Sequence, residues 1–130
     1  MNYLCINSSS GECLISLWNE KTEVSAVQWQ AHRSLAGEIF NKIEELLTAQ
    51  GITYQKLNGL VVYSGPGSFT GLRISHTVFN TLAYALQIPV VSTGGDDWIS
   101  QGISKITNNT YDKIALPIYG GQANITVPKK

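Results

Sequence analysis

The chain has 130 residues, 43% of them hydrophobic and 14% charged, and its nine basic and nine acidic residues leave a formal net charge of zero. That length supplies one domain with a real core and falls short of two full ones. The balanced charge excludes the basic stripe of a protein that grips RNA on its own, and Lys129-Lys130, the only basic cluster, reads as a solvated tail.

The opening MNYLCINSSSG has no basic stretch and too short an apolar run for a secretion signal. No segment approaches the roughly 20 apolar residues of a membrane helix. A cytoplasmic location without membrane contact is therefore expected. Cys5 and Cys13 are the only cysteines. In a reducing compartment they read as two small buried apolar residues rather than a disulfide.

The predicted elements begin with a short apolar run over Tyr3–Ile6, ended by the polar Asn7-Ser8-Ser9-Ser10 and Gly11. Cys13, Ile15 and Leu17 then alternate with Leu14, Ser16 and Trp18, and after Asn19-Glu20-Lys21 the pattern resumes from Val24 to Trp29. This predicts three strands joined by tight turns, an antiparallel meander. The period then changes. Leu35, Ile39, Ile43 and Leu46-Leu47 recur at helical spacing, so an amphipathic helix is expected from about Arg33 to Gln50, stopped by Gly51. Gly59–Tyr63 is a continuous apolar run, as in a strand buried on both faces. A second apolar helix is expected from about Thr70 to Leu86, a strand over Ile88–Val91, and a short helix within Gly94–Lys105. Ile114–Tyr119 and Ala123–Val127, separated by Gly120-Gly121, read as a terminal hairpin. Antiparallel strands followed by alternating strands and helices predict a mixed sheet with helices packed on it.

Between the buried strand and the second helix stands Gly65-Pro66-Gly67-Ser68-Phe69-Thr70-Gly71-Leu72-Arg73. Gly65 and Gly67 permit backbone angles that other residues resist, Pro66 stiffens the turn, and Ser68 or Thr70 can cap the helix. Backbone N–H groups at such a helix start can hold an anion, although the same composition also makes a purely structural turn. Neither a P-loop nor a dinucleotide fingerprint is present, because the Gly-Lys-Ser/Thr ending and the Gly-x-Gly-x-x-Gly spacing are missing.

As a string, SGPGSFTGLRIS resembles the signature of the TsaB (YeaZ) family. LCINSSSGECLISLW resembles that family's first hairpin, His32-Arg33-Ser34 its His-Ser stretch, and Leu86-Gln87-Ile88-Pro89-Val90 the strand after its second helix. PIYGGQANITV resembles, weakly, the hairpin that opens its second lobe. The resemblance implies an α/β fold with a mixed, five-stranded type of sheet, a single lobe of the actin-like ATPase (ribonuclease H-like) kind. Residues 1–110 would form that lobe, and 111–130 a hairpin that is the stub of a missing second lobe. Two departures stand out. Asn7 replaces the usual Asp of the first strand, which removes the charge that would manage a metal or phosphate. The usual C-terminal lobe is also expected to be missing, and one lobe alone would not enclose a nucleotide.

Catalytic constellations are not evident. His32 and His76 are far apart, no Cys-x-x-Cys exists, and Ser68 lacks the Gly-x-Ser-x-Gly order of a hydrolase elbow. His76 reads as a helix-face residue, and Asp96-Asp97 as the capping turn of a helix rather than an acid–base pair. No metal and no cofactor are expected.

The resemblance implies a non-catalytic subunit in the synthesis of N6-threonylcarbamoyladenosine at position 37 of tRNA. Its partner would be a TsaD-type catalytic subunit, with a TsaE-type ATPase recruited through the complex, tRNA met only indirectly, and a homodimer as a second use of the same surface. The two long helices would form that surface, through Leu35, Ile39, Phe40, Ile43, Ser75, Phe79 and Leu82, with Phe79 and Ile39 chosen as exposed contacts. The alternatives are a nucleotide- or small-molecule-binding lobe, with Asn7, Ser8, Ser9 and Ser10 and the Gly65–Gly71 loop contacting phosphate, and a peptidase-like protein.

Overall fold

The computed structural model describes residues 1–31 and 34–109. The expected hairpin at 111–130 and His32 lie outside them. The chain opens with the expected meander: β1 (Asn2–Asn7), β2 (Glu12–Asn19) and β3 (Thr22–Gln30). Helix α1 (Leu35–Ala49) crosses to β4 (Leu57–Tyr63) after a single 3-10 turn at Tyr54–Lys56. Helix α2 (Phe69–Leu86), β5 (Val90–Thr93) and α3 (Trp98–Thr107) complete the described part.

The five strands form one sheet in the order β3-β2-β1-β4-β5. β2 runs antiparallel to β1 and to β3, whereas β4 lies parallel to β1 and β5 parallel to β4. The mixed sheet follows from the connections. Tight turns can only return the chain antiparallel, and helical crossovers bring it back parallel.

Apolar side chains are buried on both faces of the sheet. On one face Leu4, Ile6, Ile15, Leu17, Leu60 and Val62 meet Ile39, Ile43, Leu46, Val78, Phe79 and Leu82 of α1 and α2. On the other, Tyr3, Cys5, Val61 and Val91 meet Trp98, Ile103 and Ile106 of α3. Gly102 lets α3 approach β4, because a Cβ there would strike the side chain of Val61. Cys5 and Cys13 are free thiols and fully buried. Burial pushes the Cys5 thiol far up from its ordinary value, so both behave as the small apolar residues expected.

Several boundaries move. β4 starts at Leu57, two residues before the apolar run. β5 is Val90–Thr93, because Gln87 takes a left-handed conformation that closes α2 and leaves Ile88-Pro89 as a link. α3 starts at Trp98, since Gly94–Asp97 is the turn before it. Asp97 occupies the N-cap, yet its side chain caps no N–H; Oδ1 accepts from Gln101 Nε2 at 2.5 Å instead. No described helix is long and apolar enough to cross a membrane.

Candidate functional site

The signature loop leaves β4 at Ser64 and enters α2 at Phe69. Gly65 has φ +99°, a left-handed angle that suits glycine. Ser68 is the N-cap, and its hydroxyl accepts from Gly71 N at 3.3 Å, as the sequence suggested. Phe69, Thr70, Gly71 and Arg73 lie in the first turns of α2. Arg73 places its guanidinium 6.0 Å from the Phe69 ring, and both side chains are exposed.

The β1–β2 turn lies directly against this loop. Ser68 N donates to Ser9 O at 2.7 Å, and the buried Ser8 hydroxyl donates to Gly71 O at 2.7 Å. A Cβ on Gly67 would sit 2.6 Å from Ser9 O, and one on Gly71 would strike Ser8 O. The glycines are therefore required by the close passage of two backbones. Asn7 Oδ1 accepts from Ser9 N at 2.9 Å and from Ser9 Oγ at 2.7 Å. Ser10 Oγ donates to Glu12 O at 3.1 Å. The four residues named as phosphate contacts thus stand beside the signature loop, with Asn7 Oδ1 and the three serine hydroxyls engaged in hydrogen bonds within the protein.

The helix surfaces divide differently from the expectation. Ile39, Ile43, Ser75 and Phe79 are fully buried, and Leu35 and Leu82 are only 8% exposed. They face the sheet and each other, so in this chain they are core rather than outer surface. Phe40 alone of the seven is exposed, at 37%. The accessible surface between the helices is a groove of about 390 Å³ lined by Ala36 of α1 and Phe69, Thr70, Arg73, Ile74, Thr77 and Val78 of α2. Phe40 lies one turn beyond Ala36 on the same flank.

His76, expected on a helix face, is buried. Its Nδ1 lies 2.7 Å from Leu72 O, and a carbonyl can only accept, so Nδ1 carries the proton. Its Nε2 accepts from Ser92 Oγ at 2.8 Å. Burial lowers its pKa from 6.5, against the opposing bond to Leu72. Below 6.5 the unfolded chain binds a proton that the folded chain resists. The stability from this site is fully present above that value and is lost as pH falls toward the lower folded-state value. Urea midpoints measured from about pH 7.5 to about pH 5 should fall for the parent. The fall should be shallower for His76→Gln, and equal slopes would refute this assignment. No group of three His, Cys, Asp or Glu side chains among the described residues could hold a metal ion.

The profile of a protein family described as TsaD, tRNA N6-adenosine threonylcarbamoyltransferase, matches residues 27–124. The tRNA threonylcarbamoyladenosine biosynthesis protein TsaB of Escherichia coli K12 is 30% identical over 102 residues, which is 78% of this chain and 44% of that protein. The chain belongs to this family, on its TsaB (YeaZ) side. Among solved structures, YeaZ from Pseudomonas aeruginosa superposes with a TM-score of 0.65 at 28% identity, covering 72% of this chain and 43% of that one. RuvC of Thermus thermophilus matches with a TM-score of 0.52 at 11% identity, over 72% of this chain and 64% of that one, a likeness of fold alone. The fold is accordingly the ribonuclease H-like one expected for TsaB. The chain spans less than half the length of these TsaB and YeaZ relatives.

Proposed function

We propose that this chain is a non-catalytic subunit that supports threonylcarbamoylation of adenosine in tRNA by docking a TsaD-type transferase through α1 and α2. The observation that carries the reading is the open groove between the helices, with Phe40 and Phe69 exposed beside it at 37% and 53%. Exposed apolar surface of that kind marks association sites. It adjoins the signature loop, so the most distinctive stretch of sequence serves to place α2. A second copy of the chain could use the same groove, and a TsaE-type ATPase would join through the transferase. With zero net charge, tRNA would be met through the partner.

Co-purification with the TsaD-type protein of the same organism tests the reading. Phe40→Glu should keep the parent's circular dichroism, because the side chain is already part-exposed. It should weaken the complex by about tenfold or more, the scale of a lost apolar anchor at an interface. Unchanged binding by a folded Phe40→Glu chain, or no complex with the parent, would sink the proposal.

A further inference from the structure

Strand β3 stands at the rim of the sheet. It pairs with β2 alone and is the terminal strand among the described residues. Ala31 N donates to Gly11 O at 2.9 Å, and the register sets Cys13 opposite Trp29 and Ile15 opposite Val27. Main-chain groups alternate in direction along a strand. Ser25, Val27 and Trp29 therefore turn theirs toward β2, whereas Ala26, Gln28 and Gln30 turn theirs outward.

This outward edge is not blunted. Its pairing with β2 is irregular only near Val24, opposite the step from Leu17 to Trp18; Ser25–Gln30 is evenly paired. From Val24 to Ala31 there is no charge and no proline, so the devices that commonly protect a free edge are missing there. The polar side chains beside it are engaged with one another: the Trp29 indole N–H donates to Glu38 Oε1 at 2.9 Å, and Lys42 pairs with Glu45 at 3.6 Å. What stays open is the main chain of the edge. Val27 and Trp29, which pack toward the α1–α2 core, are also only half-buried.

We propose that β3 pairs antiparallel with β3 of a second copy of this chain, about a two-fold axis at Gln28, so that two five-stranded sheets become one. An antiparallel edge is complementary to itself. In this register the outward groups of Ala26, Gln28 and Gln30 meet those of Gln30, Gln28 and Ala26 of the second copy, a closed two-fold contact. A charge close to the axis would meet its own image at a cost, and this edge carries none. Val27 falls opposite Trp29 of the second copy, in the non-hydrogen-bonded position where side chains come closest. Both half-buried apolar residues are thereby covered, once on each side of the axis. An axis at Val27 instead would set Trp29 against Ser25 and Gln30 against the irregular Val24. The edge lies on the other flank of α1 from the groove assigned to the transferase, so both surfaces can be occupied together.

Sedimentation velocity of the full chain over a concentration series tests this, and a dimer is expected. Gln28 is exposed, so Gln28→Lys and Gln28→Glu should keep the parent's circular dichroism. Each should raise the dimer dissociation constant about tenfold or more, because like charges meet on the axis. Mixing the two variants in equal amounts should return the constant to near the parent's. Gln28→Cys should form a disulfide-linked dimer under mild oxidation, since residue 28 stands about 5.5 Å, Cα to Cα, from its image. Thr22→Cys, far from the axis, should not, and the fully buried Cys5 and Cys13 give no background. A parent that stays monomeric at its highest soluble concentration would overturn the proposal. So would a dimer that ignores both charge variants, or a mixture no tighter than its components.

Discussion

Replacing Ile39 or Phe79 with glutamate should unfold this chain rather than release a partner. Both side chains are fully buried where α1 and α2 meet the sheet. A carboxylate placed there loses its water, and no lysine or arginine is among the buried described residues. The cost is of order 4 kcal/mol or more, once the lost apolar contacts are added to the buried polar group. A domain of this size typically has only about 5–15 kcal/mol to lose, and a short one sits low in that range. The expected readout is loss of a cooperative melt by circular dichroism, or recovery only as insoluble protein. Ile39→Val is the control, which should cost about 1 kcal/mol and still melt cooperatively. An Ile39→Glu chain that melts cooperatively within a few degrees of the parent would show that Ile39 is not core.

The same substitution should have opposite signs at two glycines that occupy equivalent places. Gly37 and Gly71 are each the third residue of their helix. Alanine is favoured over glycine within a helix by up to about 1 kcal/mol. At Gly37 a Cβ meets only Ser34 Cβ, at 4.0 Å, so Gly37→Ala should stabilise by about 0.5–1 kcal/mol. At Gly71 it strikes the Ser8 carbonyl oxygen, which is backbone and cannot swing aside. The turn must retreat, and the Ser8–Gly71 and Ser68–Ser9 hydrogen bonds are put at risk. Overpacking and the loss of a buried bond together make Gly71→Ala destabilising by about 2–4 kcal/mol. Urea midpoints read both changes. A Gly71→Ala midpoint at or above the parent's would refute the close passage.

Much of the architecture was legible because local patterns and global fold agree. Alternation from Cys13 to Leu17, resumed in β3, announced the meander, and the apolar run at Leu60–Val62 announced a strand covered on both sides. Of the two cap candidates, Ser68 and Thr70, Ser68 is the one used. The expected exposure of Ile39 and Phe79 fails because periodicity tells which side chains share a helix face, not what that face meets. Ile39 and Phe79 lie at the centre of apolar arcs, and the centre of an arc is what the sheet covers first. Phe40 and Ala36, on the flank, carry a weaker pattern and stay accessible. In the Asn7–Ser10 turn, Asn7 and Ser10 bond locally, whereas the partner of Ser8 lies far along the chain. Ser8 and Gly71 are 63 residues apart, beyond any local pattern. His76 gave no sign of its burial, since Ser92 reaches it from a strand that a composition-level reading places only approximately.

The central strand raises a problem of its own. Leu4 and Ile6 of β1 point into one core, and Tyr3 and Cys5 point into the other. In a sheet with one wet face, a slip by one residue would expose every apolar side chain and is forbidden for that reason. Here a slip would exchange two apolar residues for two others, so hydrophobicity alone would penalise it weakly. Polar pins at the two ends do the discriminating. At the start, Asn2 N donates to Asn58 Oδ1 at 2.8 Å and Asn2 Nδ2 to Lys56 O at 3.1 Å. At the finish, the Ser8 hydroxyl is tied to Gly71 O, and Ser9 O accepts from Ser68 N. Each of these bonds tolerates only one alignment, so the strand's hydrophilic ends select among threadings that its apolar middle would accept almost equally.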